Sequence, residues 1–267
     1  MMIRTAAFLT VLGGVAAASV AGPTFIAFGN NTMYRFGAAG PIETFTMGDK
    51  MMSLTTRPDG AIVGHSAERN SGQMWESYEI LGANTNSPML SMLSDQVPGP
   101  RPTLSFADGS AYSAREGGSG AELITVDDGT LIDNGLIGNL NIQDGVNGSG
   151  YDATNDVLYG INRDQDVLVT INRATGNATV VGSLGIDFFN GGAEFYNGTL
   201  YAFVQDLDSQ MLVFGSVDTN TGAFTAIRDI DTYDANGTTF MSLALVPAPT
   251  SLGLLAMGGL VAIRRRR

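Results

Sequence analysis

The sequence contains no cysteine, a single histidine and a single lysine among its 267 residues. Without cysteine there can be no disulfide, thiol nucleophile, thiolate-bound zinc or iron–sulfur cluster. With one histidine, His65, the chain lacks the residues that hydrolytic triads and most transition-metal sites require. No GxSxG or HExxH motif is present either. We therefore predict no catalytic residue set, no confident metal ligand and no cofactor.

Positive charge is also scarce, and it is concentrated at the ends. The chain has 14 basic and 26 acidic residues, and five of the basic ones are Arg4 and Arg264–Arg267. Neither end contains an acidic residue, so nine basic residues face 26 acidic ones in the body, a net charge of −17. A body this acidic repels phosphate backbones, which argues against nucleic acid as a partner.

The first 21 residues are typical of a signal peptide. Arg4 precedes an apolar stretch from Ala6 to Ala18, and the small residues Ser19 and Ala21 follow at the spacing of a signal-peptidase site. We predict cleavage after Ala21, with Ala18 as the alternative position. The competing interpretation is a buried N-terminal helix.

The middle of the chain contains a repeat of slightly more than 40 residues. Segments 146–185 and 189–230 share three dipeptides at offsets of 43, 42 and 46 residues. These are Asn147-Gly148 with Asn190-Gly191, Leu158-Tyr159 with Leu200-Tyr201, and Thr175-Gly176 with Thr221-Gly222. The Asn-Gly-Ser sequence at Asn147 is interpreted first as a hairpin turn and second as a glycan acceptor.

Each repeat is predicted to contain four strands. In the first unit they are Gly148–Asp152, Val157–Asn162, Val167–Asn172 and Ala178–Gly182, with turn residues between them. Four strands in every 40 or so residues are typical of one β-propeller blade. Weaker copies occupy 102–140 and 52–93.

The remaining pieces complete one more blade. Residues 24–48 supply three strands and 238–246 supply a first strand. We therefore predict an all-β domain over 22–246: a five-bladed propeller whose last blade is shared between N- and C-terminal strands. A six-bladed ring, with an extra piece hidden in 70–100, is one alternative, and a β-sandwich or β-solenoid is the other.

The repeat pattern of 151–185 resembles the secreted β-propellers of the YVTN and WD-like group. The resemblance covers two blades well and two poorly. Propellers of this kind include enzymes, scaffolds and adhesins, so the resemblance implies a fold and no particular activity.

Acidic residues provide the first set of candidate ligand-binding positions. Asp164 and Asp166 occupy a turn equivalent to that of Asp206 and Asp208 in the next repeat. Aspartate is common in turns because its side chain caps the backbone. The alternative function is a calcium site built from carboxylate oxygens, although no EF-hand pattern is present.

The second set concerns carbohydrate. Glu194, in GGAEF, is predicted to lie on an inner strand lining the central channel, where a glycosidase carboxyl group could sit. Trp75, the only tryptophan, could stack on a sugar ring or pack between blades. His65 follows a predicted strand, and we interpret it as a loop or blade-edge residue with satisfied hydrogen bonds.

The C-terminal stretch 247–267 is predicted to be a sorting tail. Val246-Pro247-Ala248-Pro249 is followed by an apolar run from Leu252 to Ile263 and by Arg264, Arg265, Arg266 and Arg267. The run is shorter than the roughly 20 residues that normally span a bilayer, and the arginines favour the cytoplasmic side. We expect a short hydrophobic helix at each terminus.

This tail resembles the PEP-CTERM sorting signal of Gram-negative envelope proteins, with alanine at Ala248 where the family usually has glutamate. The resemblance implies transient insertion into the inner membrane, removal of the tail by an exosortase-type enzyme, and delivery to the cell surface or extracellular matrix. It also implies association with extracellular polysaccharide. We expect a non-enzymatic structural or interaction module, the alternatives being a secreted polysaccharide hydrolase or lyase and a protein-binding adhesin.

Overall fold

The computed structural model describes residues 22–117, 120–142, 145–233 and 240–247, which contain twenty strands in five four-stranded antiparallel sheets. The chain opens with β1 (Thr24–Gly29), β2 (Thr32–Gly37) and β3 (Ile42–Thr46). Blade 2 consists of β4 (Met51–Thr56), β5 (Ile62–Arg69), β6 (Trp75–Leu81) and β7 (Met89–Val97). Blade 3 consists of β8 (Ser105–Ala107), β9 (Ser110–Gly117), β10 (Gly120–Val126) and β11 (Asp133–Asn139).

The two repeats recognised most clearly in the sequence form the next two blades. Blade 4 consists of β12 (Val146–Asp152), β13 (Val157–Asn162), β14 (Val167–Ile171) and β15 (Ala178–Ser183). Blade 5 consists of β16 (Phe188–Tyr196), β17 (Thr199–Asp206), β18 (Met211–Val217) and β19 (Phe224–Thr232). The last strand is β20 (Met241–Val246), and it joins β1, β2 and β3 to form blade 1.

The shared blade closes the ring as predicted. Strand β20 pairs antiparallel with β1 from Thr24 opposite Val246 to Gly29 opposite Met241. The region 70–100 supplies β6 and β7 of blade 2, so the described residues form five blades and the six-bladed alternative is wrong. The described residues contain no helix, and the two predicted terminal helices lie outside them. Nor does any helix of the described part have the length and hydrophobicity needed to cross a bilayer.

Glycine allows the innermost strands to approach one another closely. A Cβ on Gly148 of β12 would lie 2.6 Å from the Ala193 amide nitrogen of β16, and one on Gly192 would lie 2.4 Å from the Leu243 amide nitrogen of β20. Both separations are far below van der Waals contact. The small residues of these strands are therefore a requirement of ring packing.

Apolar side chains fill the spaces between blades. Where blade 5 meets blade 1, Phe25 lies 4.9 Å from Phe214 and Phe36 lies 5.0 Å from the same ring, measured between ring centroids. All three side chains are buried. Burial of each contributes roughly 1.5–3 kcal/mol, so this cluster reinforces the joint that the strand pairing closes.

The strand order defines two faces of the ring. Four antiparallel strands return the chain to the face from which a blade began, so β4, β8, β12, β16 and β20 all begin at one face, here called the upper face. They end at the opposite, lower face. Because Thr24 pairs with Val246, the first described strand begins and the last one ends at the lower face.

Candidate functional site

A cavity of about 230 Å³ opens at the upper face, where the innermost strands begin. We call it the upper cavity. Its walls come from every blade, since the strand starts and their neighbouring loops converge on the ring axis. The lining residues are Met52, Ala67, Trp75, Pro100, Pro102, Gly145, Asn147, Arg163, Asn190, Phe240 and Met241.

Two asparagines from equivalent positions of blades 4 and 5 meet in the upper cavity. The Asn147 Nδ2 donates a hydrogen bond of 2.9 Å to Asn190 Oδ1. Asn147 is only 6% exposed, and its Oδ1 has no hydrogen-bond partner. The first interpretation of Asn147 as a hairpin-turn residue is wrong, because it lies within β12, where the ring packing buries it. The 43-residue repeat was the signal that could have paired these side chains.

Near the upper cavity, two arginine guanidinium groups lie over aromatic rings. Arg69 Cζ lies 4.3 Å from the centroid of the Trp75 ring, and Arg163 Cζ lies 5.5 Å from that of Phe189. Such contacts each contribute about 0.5–1 kcal/mol at exposed sites. Arg163 Nε also lies 3.5 Å from Asp164 Oδ1. Trp75 is therefore positioned both as a packing residue and as part of the cavity wall.

The predicted aspartate turns lie on the upper face at equivalent places, between β13 and β14 and between β17 and β18. Asp206 Oδ1 accepts hydrogen bonds from the amides of Asp208 and Ser209 at 3.0 and 3.3 Å, which is the capping role expected of a turn residue. Asp166 Oδ1 accepts a 3.3 Å hydrogen bond from the Phe188 amide. The described residues contain no group of three histidine, aspartate or glutamate side chains able to hold a metal ion.

The environment of Asp166 is nonetheless unusual for a turn aspartate. Partial burial raises its pKa, and the negative charges of Asp187 and Asp164 raise it further, while the Phe188 amide opposes the shift. These observations on Asp166 concern hydrogen bonds and charges and do not test calcium binding, so the calcium site stays a prediction.

Glu194 lies far from the upper cavity, towards the lower end of the innermost strand β16. Burial raises its pKa to about 8, and the Thr55 side chain and Thr56 backbone partly oppose this rise. Those two residues belong to blade 2, which is not adjacent to blade 5 in the ring, so the carboxyl group faces across the channel. Its Oε2 is buried and has no hydrogen-bond partner.

Only the first two residues of the predicted sorting motif belong to the part of the chain that the structure describes. Val246 is buried at the end of β20, and Pro247 lines a second cavity on the lower face together with Gly60 and Ile80. Ala248, Pro249 and the arginines 264–267 lie outside the described residues.

His65 differs from its predicted setting. It lies within β5 and not after a strand, and it is completely buried. Its Nε2 lies 3.0 Å from the Leu131 carbonyl oxygen and its Nδ1 lies 3.0 Å from Ser53 Oγ. Since a carbonyl only accepts, we assign the proton to Nε2, and the Ser53 hydroxyl then donates to Nδ1. Sequence inspection missed Ser53 because the partner lies on the neighbouring strand.

The Ser53–His65 pair is structural. Burial lowers the pKa of His65 to about 4, and nearby Arg101 lowers it further, while Leu131 and Asp133 oppose the shift. Ser53 is also buried, and neither Ser53 nor His65 lines the upper cavity. The prediction that the hydrogen bonds of His65 are satisfied is therefore confirmed, whereas the predicted location after a strand is wrong.

A buried ion network lies beside this histidine. Arg101, 2% exposed, donates from Nη2 to Asp133 Oδ1 at 2.5 Å and from Nη1 to the Pro100 carbonyl at 2.9 Å. Arg115 bonds the other oxygen of Asp133 and also Glu122. Two positive and two negative groups thus balance one another inside blade 3.

Comparison with known proteins supports the fold. No family model matches the chain, and no curated protein matches it. A chain in the crystal structure of a nidogen/laminin complex is similar over 85% of this chain and 99% of that chain, with a TM-score of 0.52 and 12% identity. A Bacteroides caccae protein of unknown function is similar over 80% of this chain and 75% of that chain, with a TM-score of 0.43 and 12% identity.

The second likeness is too low to carry an argument, and the first bears on the fold alone. Together with the five closed sheets, it places the chain in the class of β-propeller proteins. The fold therefore does not assign an activity.

Proposed function

We propose that this chain is an exported, surface-sorted β-propeller that serves as a non-enzymatic binding module in the polysaccharide-rich envelope of a Gram-negative bacterium, with the upper cavity as its ligand site. The observation that carries the proposal is the cavity itself. It combines a tryptophan, a buried amide oxygen without a partner, and walls contributed by all five blades. Concave sites with an apolar lining and a few converging polar groups are the usual form of small-ligand sites.

The placement of the chain ends supports surface display. Both Thr24 and Val246 lie at the lower face, so residues 1–21 and the sorting tail both join the propeller there. The upper cavity opens at the opposite face. While the tail is held in the inner membrane, the cavity faces away from the bilayer, and after removal of the tail at the cell surface it is open to the surrounding polymer.

Signal peptidase and an exosortase-type enzyme are the processing partners in this proposal. Mass spectrometry of the protein recovered from the cell surface should find a new N-terminus after Ala21 and no Arg267. Recovery of surface protein with Arg267 intact would refute removal of the tail.

Binding is tested with the intact chain, purified in detergent and immobilised through an N-terminal affinity tag placed after Ala21. We expect it to retain polysaccharide extracted from the producing envelope, and we expect Trp75→Ala to reduce retention. Asn177→Ala changes an exposed asparagine of the lower face and serves as the matched control. Failure of the wild-type chain to retain any envelope polysaccharide contradicts the proposed function.

A second candidate function rests on Glu194. Its raised pKa gives a carboxyl group that is protonated near neutral pH, as a general acid requires. This enzymatic alternative predicts turnover of the same polysaccharide that is abolished by Glu194→Gln. Reducing-end or unsaturated-product assays would detect it, and turnover lost in that variant would replace the binding-module proposal.

A further inference from the structure

We infer that the upper cavity binds a single neutral sugar unit and that Asn147 selects it by accepting a hydrogen bond from one of its hydroxyl groups. The inference rests on the proposed function, since it names the ligand class of the same cavity.

The Asn147–Asn190 hydrogen bond determines which atom of Asn147 remains available. Nδ2 is used as the donor to Asn190 Oδ1, so Oδ1 is the atom left without a partner. The residue lines the cavity and is more than nine-tenths buried. A buried carbonyl oxygen without a donor is costly, and a ligand that brings a donor removes this cost on binding.

The required donor excludes ligands that can only accept. Carboxylate, sulfate and phosphodiester groups have no proton to donate at neutral pH, and their lone pairs would face that of Oδ1. Hydroxyl, amide and ammonium groups remain. None of the described lining residues is acidic, so an ammonium group would lack a counter-charge in the cavity. A neutral donor is therefore favoured, and a sugar supplies one through its hydroxyl groups.

The apolar part of the cavity wall is suited to the C–H face of a sugar ring. Met52, Ala67, Pro100 and Pro102 lie with Trp75 around the cavity and present carbon surface. A pyranose has hydroxyl groups around its edge and C–H groups on its faces, so it offers a donor to Asn147 and an apolar face to Trp75. The volume of about 230 Å³ accommodates one such ring. The cavity therefore encloses one unit of a polymer at a time.

Isothermal titration of the intact chain with methyl glycosides of glucose, galactose and mannose tests this inference. Each glycoside is compared with analogues in which one hydroxyl group is replaced by fluorine, which cannot donate. For the preferred sugar, we expect one such replacement to weaken binding about tenfold, the equivalent of about 1.4 kcal/mol. In Asn147→Leu, the same replacement should have an effect of less than twofold.

Two controls keep the result interpretable. Circular dichroism and thermal melting establish whether Asn147→Leu folds. If it does not, the same fluorine comparison is made with Asn147→Ala, which also removes the Oδ1 acceptor and leaves Asn190 unchanged. In that variant too the effect of fluorine should fall below twofold. Asn177→Ala is the matched asparagine control on the lower face.

The outcomes separate this inference from the proposed function. Retention of polysaccharide without measurable binding of any neutral glycoside overturns the inference and leaves the proposed function standing. Tighter binding of glucuronate than of glucose also overturns it, because the preferred ligand would then be anionic. An equal effect of fluorine in the wild-type and Asn147→Leu chains overturns the assigned role of Asn147.

Discussion

Replacing Glu194 by glutamine should change how stability depends on pH. The pKa of this carboxyl group is about 8 in the folded chain, against 4.5 for an ordinary glutamate. Between these values the folded state binds the proton and the unfolded state releases it, so the free energy of unfolding falls as pH rises. The slope is at most about 1.4 kcal/mol per pH unit. Glutamine removes this slope at nearly constant size.

The size of the effect follows from the pH interval between the two pKa values of residue 194, 4.5 and about 8. The full displacement corresponds to a ceiling of ~5 kcal/mol above pH 8. Although its Oε2 atom is buried, Glu194 as a whole keeps some exposure. We therefore expect the free energy of unfolding of Glu194→Gln to exceed that of the wild-type chain by about 2–4 kcal/mol at pH 8 and to approach it near pH 4.5.

His65 contributes the opposite slope over part of this range. Its pKa is lowered from 6.5 to about 4, so the unfolded state binds more protons between these values and stability rises with pH there. In the wild-type chain the two slopes oppose each other between pH 4.5 and 6.5, and the loss due to Glu194 is unopposed from 6.5 to 8. The glutamine variant should gain stability up to pH 6.5 and show no decline attributable to residue 194 above it.

Urea unfolding at pH 5, 6.5 and 8 and constant ionic strength, followed by Trp75 fluorescence and circular dichroism, measures this difference. Asp208→Asn, which removes an exposed carboxylate from the upper face, is the matched control and should parallel the wild-type curve. Parallel curves for the wild-type chain and Glu194→Gln would refute the assignment of a buried, proton-retaining carboxyl group.

Three further predictions concern the ring. Gly192→Ala should lower the free energy of unfolding by about 1–3 kcal/mol, because its Cβ would meet the Ser242–Leu243 backbone. Gly48→Ala is the control, since no atom lies within 4 Å of its added Cβ, and it should change that free energy by less than ~0.5 kcal/mol. Equal melting temperatures of the two variants would contradict the close approach of β16 and β20. Arg101→Met should cost about 3–5 kcal/mol in urea titrations, since it removes a buried arginine and leaves the half-buried Asp133 with only Arg115, and a loss below ~1 kcal/mol would show that the network is dispensable. A chain ending after Pro247 should keep cooperative unfolding. One ending after Phe240 lacks β20 and should aggregate through the exposed edge of β1, which size-exclusion chromatography would detect. If the shorter chain is monomeric and folds cooperatively, strand closure by β20 is contradicted.

Local patterns were sufficient for the blades because a β-meander is a local structure. The four strands of the 148–182 unit were predicted within two residues of β12 to β15, since alternation and turn residues lie within short stretches of sequence. The closure by 241–246 was also predictable, because an incomplete blade at each end leaves one arrangement that satisfies every strand edge.

The candidate site was less accessible to prediction. Asn147 looked like a turn residue because Asn-Gly is the strongest local hairpin signal. Only the ring places it against Asn190, 43 residues away, with one oxygen left unpaired. Similarly, the Ser53–His65 contact joins adjacent strands whose register depends on a bulge between Met51 and Ser53. Such registers are not encoded in any short motif.

The sequence by itself determined the repeat, the shared blade, the acidic body and the terminal segments, because each depends on composition or on spacing along the chain. Tertiary structure decided which side chains meet at the ring axis. It brought Trp75, Asn147 and Arg163 from three different segments to one cavity, and it buried Glu194 far from them at the opposite end of the channel. The physical reason is that these positions depend on how five blades pack around one axis, and that packing is set by contacts between residues distant in sequence.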